Sequence, residues 1–169
     1  MNEDSHIRSN LGKWSKKDVP HKGWECIDIE DTGEQATICE MCEFQHIRYI
    51  HYMKHPEYID ILGVGCDCAG KMEENYLHAK KRDDFMKKRT SKRKRWINHR
   101  GWKVSKKGND WIKADGYIIT MIDHNTYWSA SIRIEGEETG VWLPRKFETI
   151  EIAKLAAFDY VTKLLSDDK

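Results

Sequence analysis

Four of the five cysteines fall in two close pairs, Cys39-x2-Cys42 and Cys66-x-Cys68. Thiolates bind borderline metal ions strongly, and two of them on a tight turn can reach one ion from the same knuckle. The spacing therefore predicts that Cys39, Cys42, Cys66 and Cys68 give four sulfurs to one Zn2+. A centre with no open coordination position is structural rather than catalytic. The plainer alternative is a set of buried, unliganded thiols. His46, His51 and His55 lie between the two pairs, and any one of them could replace a cysteine as ligand. Cys26 stands apart.

Basic side chains are the second group with chemistry to offer. The formal net charge is +1, yet residues 71–113 carry 16 Lys and Arg against 5 Asp and Glu, between two acidic flanks. A partner feels the local field, since charges act over a Debye length of about 8–10 Å. Lys87, Lys88, Arg89, Lys92, Arg93, Lys94, Arg95 and Arg100 are candidates to neutralise phosphates, a salt-sensitive and sequence-independent mode of binding. Trp96 and Trp102 could stack on exposed bases. The alternative is a solvated helix whose charge balances the acidic flanks.

These groups need elements to position them. Residues 1–22 mix polar and charged side chains with few apolar anchors, which predicts a mobile leader. Alternation from Trp24 to Glu30 suits a short edge strand. Ile47 to Tyr52 and Tyr58 to Val64 read as a hairpin interrupted by His55-Pro56, and glycines 63, 65 and 70 supply turns around the second cysteine pair. From Lys71 to about His99 there is no Gly or Pro, which predicts one long helix. Beyond Gly101, β-prone runs at Trp111–Lys113, Tyr117–Ile122, Tyr127–Ile134 and Val141–Phe147 read as an antiparallel meander with a turn at Asp115-Gly116. A last amphipathic helix runs from about Thr149, its N-cap, to Leu165. The expected class is α+β: a zinc-bound hairpin module (23–80), a basic helix and linker (81–107), and a three- to four-stranded sheet packed on one helix (108–169).

The knuckle, hairpin and second cysteine pair leading into a helix resemble the treble-clef class of zinc folds over residues 36–80. The second pair has one residue between its cysteines, where two are more common. Tyr127-Trp128-Ser129-Ala130-Ser131-Ile132-Arg133, then Val141-Trp142-Leu143 and Phe147-Glu148-Thr149 before an alanine-rich helix, resemble the DNA-binding domain of plant ethylene-response factors and some phage integrases. That resemblance implies a sheet lying in the major groove, with Trp128, Arg133 and Trp142 as contacts. Cross-strand packing is the other reading of the two tryptophans.

Three classes of function remain. The first is a zinc-stabilised nucleic-acid-binding protein, with DNA the expected target. The second is a zinc-stabilised adaptor or inhibitor that binds a protein through its basic helix. The third is an enzyme with scaffold zinc, for which Asp123-His124 and His51 with Asp60 are the nearest groupings. No His-Glu-x-x-His, Gly-x4-Gly-Lys or Gly-x-Ser-x-Gly motif occurs, so no catalytic activity or small-molecule substrate is indicated. Without an apolar run of about 18 residues or an apolar signal core, the expectation is a cytoplasmic protein with no membrane partner.

Overall fold

The computed structural model describes residues 10–167, and its chain divides into two compact units after Thr90. It is an α+β protein. Among the described residues no helix is long and apolar enough to cross a membrane.

The first unit contains β1 (Glu25–Asp31), β2 (Thr37–Ile38), β3 (His46–Ile47), β4 (Tyr49–His55), β5 (Tyr58–Val64) and α1 (Cys66–Met72), and takes in most of α2 (Tyr76–Trp96). The expected hairpin is β4–β5, and the expected edge strand is β1, which pairs antiparallel with β4 to give the order β1-β4-β5. β2 and β3 form a separate small antiparallel pair. Central β4 buries Ile50 and Met53 in a core shared with Leu62, Val64, Ala69 and Met72.

Two expectations change. The leader was to be mobile through residue 22, but residues 10–22 pack: a 3-10 turn at Gly12–Ser15 buries Trp14, and Val19 is buried behind it. These two side chains are the apolar anchors that tie the segment to the core. Residues 1–9 of the expected leader lie outside the described residues. The single long helix is instead two. Glu74 adopts a left-handed conformation with φ 56°, and Asn75 Oδ1 then accepts the His78 N–H at 3.1 Å and starts α2. An asparagine side chain competes for backbone donors this way and so favours a helix start over a helix interior.

Asp31, at the end of β1, holds this unit together. It accepts from Arg48 Nε at 2.7 Å and Nη2 at 3.1 Å, and from Thr90 Oγ1 of α2 at 2.6 Å. The Arg48 hydrogen bond, followed by the Thr90 bond and the Gly33 N–H, outweighs burial and holds the carboxyl well below the usual carboxylate range.

The second unit is a meander of β6 (Lys103–Val104), β7 (Asp110–Ala114), β8 (Tyr117–Asp123), β9 (Trp128–Ile134) and β10 (Val141–Trp142), followed by α3 (Ile150–Asp167). Its five strands run in the order β10-β9-β8-β7-β6, one more than the three to four expected. Asp115 and Gly116, both at positive φ, make the tight β7–β8 turn in the sense that suits strand twist. Ile112, Ile119, Met121, Ala130 and Ile132 face Ala153, Ala157, Phe158 and Val161 of α3 in one core.

Thr149 caps α3 as expected, its Oγ1 accepting the Ile152 N–H at 3.3 Å. Thr149→Ala should destabilise the second unit by about 1 kcal/mol, read as a lower urea midpoint at unchanged slope. The Asp31 carboxyl has a depressed folded-state pKa, so its stabilisation is complete above the unfolded value of about 4 and fades as pH falls below it. Asp31→Asn should cost the first unit roughly 1–2 kcal/mol at pH 7, allowing for the partial exposure of Arg48. The difference between variant and parent should shrink below pH 4 in thermal melts.

Candidate metal centre and basic surface

Residues 39–43 form a tight turn after β2. Cys39 O accepts the Glu43 N–H at 2.8 Å, Cys39 N–H donates to Gln45 O at 2.8 Å, and Glu43 takes a positive φ of 54°. The turn presents Cys39 and Cys42 on one side. Two backbone donors point at the sulfurs: Gln45 N–H lies 3.5 Å from Cys42 Sγ, and Gly65 N–H lies 3.4 Å from Cys39 Sγ. Amide donors of this kind favour the thiolate over the thiol. Gly65 is required for the approach, because a Cβ there would lie 2.8 Å from Ile47 Cγ2.

From that glycine the chain enters α1, whose third residue is Cys68. The sulfurs of Cys39, Cys42 and Cys68 lie within 4.8 Å of one another, and all three residues are buried. The segment at Gly12–Ser15 covers them. Lys13 N–H donates to Met41 O at 2.8 Å, and Lys13 Nζ reaches Glu40 O at 2.9 Å and Glu43 Oε1 at 3.0 Å. Gly12, at φ 57°, sits so close that a Cβ would lie 2.7 Å from the Cys42 carbonyl.

Three buried thiols at one point are compatible with a metal site, and the proton distribution agrees. Hydrogen bonding from the Cys68 thiol, more than any backbone donor, pulls Cys39 below the ordinary cysteine range, while that shared bond and then burial push Cys68 up. The lowering at Cys39 favours the thiolate form that a divalent cation would need. The buried Trp14 Nε1 has no hydrogen-bond partner, although the indole lies near enough to Cys68 to favour its thiolate. An orphaned donor beside a sulfur fits a centre completed by negative charge.

The four-thiolate expectation is corrected at Cys66. The pair was expected on a turn, but Cys66 and Cys68 are the first and third residues of α1. Residues two apart on an α-helix differ by about 200° in direction, so the two sulfurs face opposite ways. Cys66 lies instead with His51 and Asp83, one donor atom from each being within 4.8 Å of the others. Among the described residues no fourth His, Cys, Asp or Glu joins Cys39, Cys42 and Cys68.

His46, His55 and His124 join neither cluster. His46 is not buried, and His55 packs its ring 5.2 Å from that of Trp24. Asp60 is exposed on β5, away from the His51 pairing, and His124 stacks on Tyr127 while bonding Ser129 Oγ at 2.8 Å.

The basic candidates divide by their partners. On α2, Lys87 pairs with Asp83 at 2.7 Å, Lys92 with Asp115 at 3.6 Å, and Arg93 makes two 2.9 Å bonds to Asp159. Arg89 is partly buried. Lys88, Lys94 and Arg95 are exposed and pair with no acidic side chain among the described residues. Lys92, Lys94, Arg95, Arg100 and Lys113 line a groove of about 770 Å3, together with His99 and a single acid, Asp115. Lys113, not a sequence candidate, joins because the β7–β8 turn carries it there, and it also contacts Glu135.

The aromatic candidates divide between the core and the surface. Trp96 is buried in the core with its Nε1 donating to Lys154 O at 2.8 Å, so it has no face for a base. Trp102 Nε1 donates to Trp96 O at 2.8 Å, with Lys154 over its ring. Trp128 packs against the α3 core. Trp142 is 56% exposed and pairs with Ser131 on the outer sheet face. Register places Arg133 on that face too, opposite Ile118 and beyond it Lys113, and its Nη1 donates to Glu137 O at 2.6 Å.

No family model, curated protein or solved structure matches this chain.

Because three elements converge on the sulfurs, metal removal should loosen the first unit. Treatment with a strong chelator, or Cys42→Ala, should release a bound thiophilic ion and lower the first unit's melting temperature. Elemental analysis with thermal denaturation reads both, and an unchanged melt after complete metal removal would show that the thiols are merely packed.

Proposed function

We propose that this chain is a zinc-stabilised nucleic-acid-binding protein. Cys39, Cys42 and Cys68 hold a structural Zn2+ that fixes the first unit, and the basic groove of the second unit takes up phosphates. Zinc is the ion that suits a thiolate-rich, buried site. The groove carries the functional reading: Lys94, Arg95 and Arg100 line it with Lys92 and Lys113, against one carboxylate. Cations left without acidic partners keep a field that an anionic polymer can neutralise, whereas Lys87 and Arg93 are already compensated by Asp83 and Asp159.

The outer sheet face extends this surface. Cross-strand partners share a face, which puts Lys103, Trp111, Thr120, Ser131 and Trp142 in one row, with Lys113 and Arg133 in the next. Exposed Trp142 offers a stacking plane and Arg133 a guanidinium. DNA is the expected target, since the major groove admits two adjacent strands and exposes base edges to their side chains.

The test is a salt-dependent titration of the zinc-loaded chain against double-stranded DNA, single-stranded DNA and RNA. Binding should weaken steeply with salt. The triple variant Lys94→Ala, Arg95→Ala, Arg100→Ala should bind at least about tenfold more weakly and lower the salt slope by about 2–3, at roughly 0.9 per lost duplex phosphate contact. Lys87→Ala should change little. Absence of binding at low salt to all three polymers would remove this reading and favour an acidic protein partner.

A further inference from the structure

Cys66, His51 and Asp83 come from three elements, the start of α1, β4 and α2. His51 is fully buried and Asp83 is 5% exposed, while Cys66 is only partly buried. Polypeptide alone satisfies this cluster poorly. His51 Nε2 lies 3.5 Å from Asp83 Oδ1, at the limit of a hydrogen bond, and His51 Nδ1 has no partner. A fully buried imidazole whose Nε2 is held only at the limit of a hydrogen bond leaves that nitrogen and the facing carboxylate oxygen available to an occupant.

We propose that His51, Cys66 and Asp83 bind a second divalent transition-metal ion, distinct from the one at Cys39, Cys42 and Cys68. One imidazole nitrogen, one sulfur and one carboxylate oxygen are the donor types of zinc sites, whereas calcium and magnesium select oxygen alone. The 4.8 Å spread is close to what is needed, since donors about 2.0–2.3 Å from a tetrahedral ion lie roughly 3.3–3.8 Å apart. Asp83 Oδ2 is taken by Lys87 at 2.7 Å, which leaves Oδ1, the oxygen facing His51, for the ion.

The site reaches a surface cavity, whereas the three-thiolate centre is buried. Cys66 and Asp83 line a cavity of about 270 Å3 with Tyr49, Tyr76, Lys80 and Lys87. Three protein ligands and access to a cavity leave a coordination position for water or an anion, and the two lysines favour the anion. A nucleophilic role for Cys66 fits less well. Burial, followed by the charges of Asp83 and Asp67, pushes its pKa up to about 11, so without a metal it is a thiol at neutral pH.

The test uses the full chain, loaded with Zn2+, dialysed and analysed for metal per protein. The parent should hold two ions. Cys66→Ser and Asp83→Asn should each hold one, while Cys42→Ala should lose the other. Cobalt titration of the parent covers the event that a variant fails to fold. Its second equivalent should give tetrahedral ligand-field bands with about one third of the thiolate charge-transfer intensity of the first, one sulfur against three. A single equivalent in the parent would overturn the proposal. So would loss of metal in Cys66→Ser with full content in Asp83→Asn, because Cys66 would then serve the three-thiolate centre.

Discussion

The convergence of three buried sulfurs is the constraint on which the first unit depends. Cys39 and Cys42 come from one turn and Cys68 from the first turn of α1, so the hairpin between them must close before the sulfurs can meet. Glu40 fastens the two sides: its N–H donates to Gly63 O at 2.9 Å, and its carboxylate accepts the Gly63 N–H. The segment around Trp14 then seals the sulfurs from water. A small unit with a thin apolar core would gain rigidity from the proposed ion, because one multivalent contact replaces many methylene contacts.

The same helix that delivers Cys68 turns Cys66 the opposite way, toward the buried stripe of α2. Ala79, Asp83 and Met86 follow one another at spacings of four and three on that stripe, and a carboxylate stands where an apolar residue would ordinarily pack. Burying a charge is costly unless it is paired. Lys87 partly compensates Asp83, His51 stands at the limit of a hydrogen bond from it, and the proposed ion would complete the compensation.

Charge on α2 shows how little a count of basic residues says by itself. Ten Lys and Arg lie between Tyr76 and Trp96, but Asp84, Glu73, Asp83, Asp115 and Asp159 each engage one of them. Of the others, Lys94 and Arg95 lie at the end of the helix and meet Arg100 in one groove. The proposed nucleic-acid surface is thus smaller than the basic run, and it shifts from the middle of the helix to the second unit.

Elements and turns were legible in the sequence because their causes are local. Alternation marked β1, β-prone runs marked β4, β5, β8 and β9, Asp115-Gly116 marked a turn, and Thr149 marked the start of α3. The break at Glu74-Asn75 was also local, and the asparagine was its signal. Asp83 was detectable as a charge in a helical stripe with Ala79 and Met86, had the phase of α2 been drawn. The partners of each functional group were not legible. Which way Cys66 and Cys68 point depends on where α1 begins, and that is set by packing of Gly65 against Ile47, 18 residues earlier in the chain. Whether a lysine is free or a tryptophan is exposed depends on carboxylates and core residues distant in sequence. The sequence by itself determined the types of elements and the thiol knuckle, through interactions spanning a few residues, and the tertiary structure decided which donors share a site.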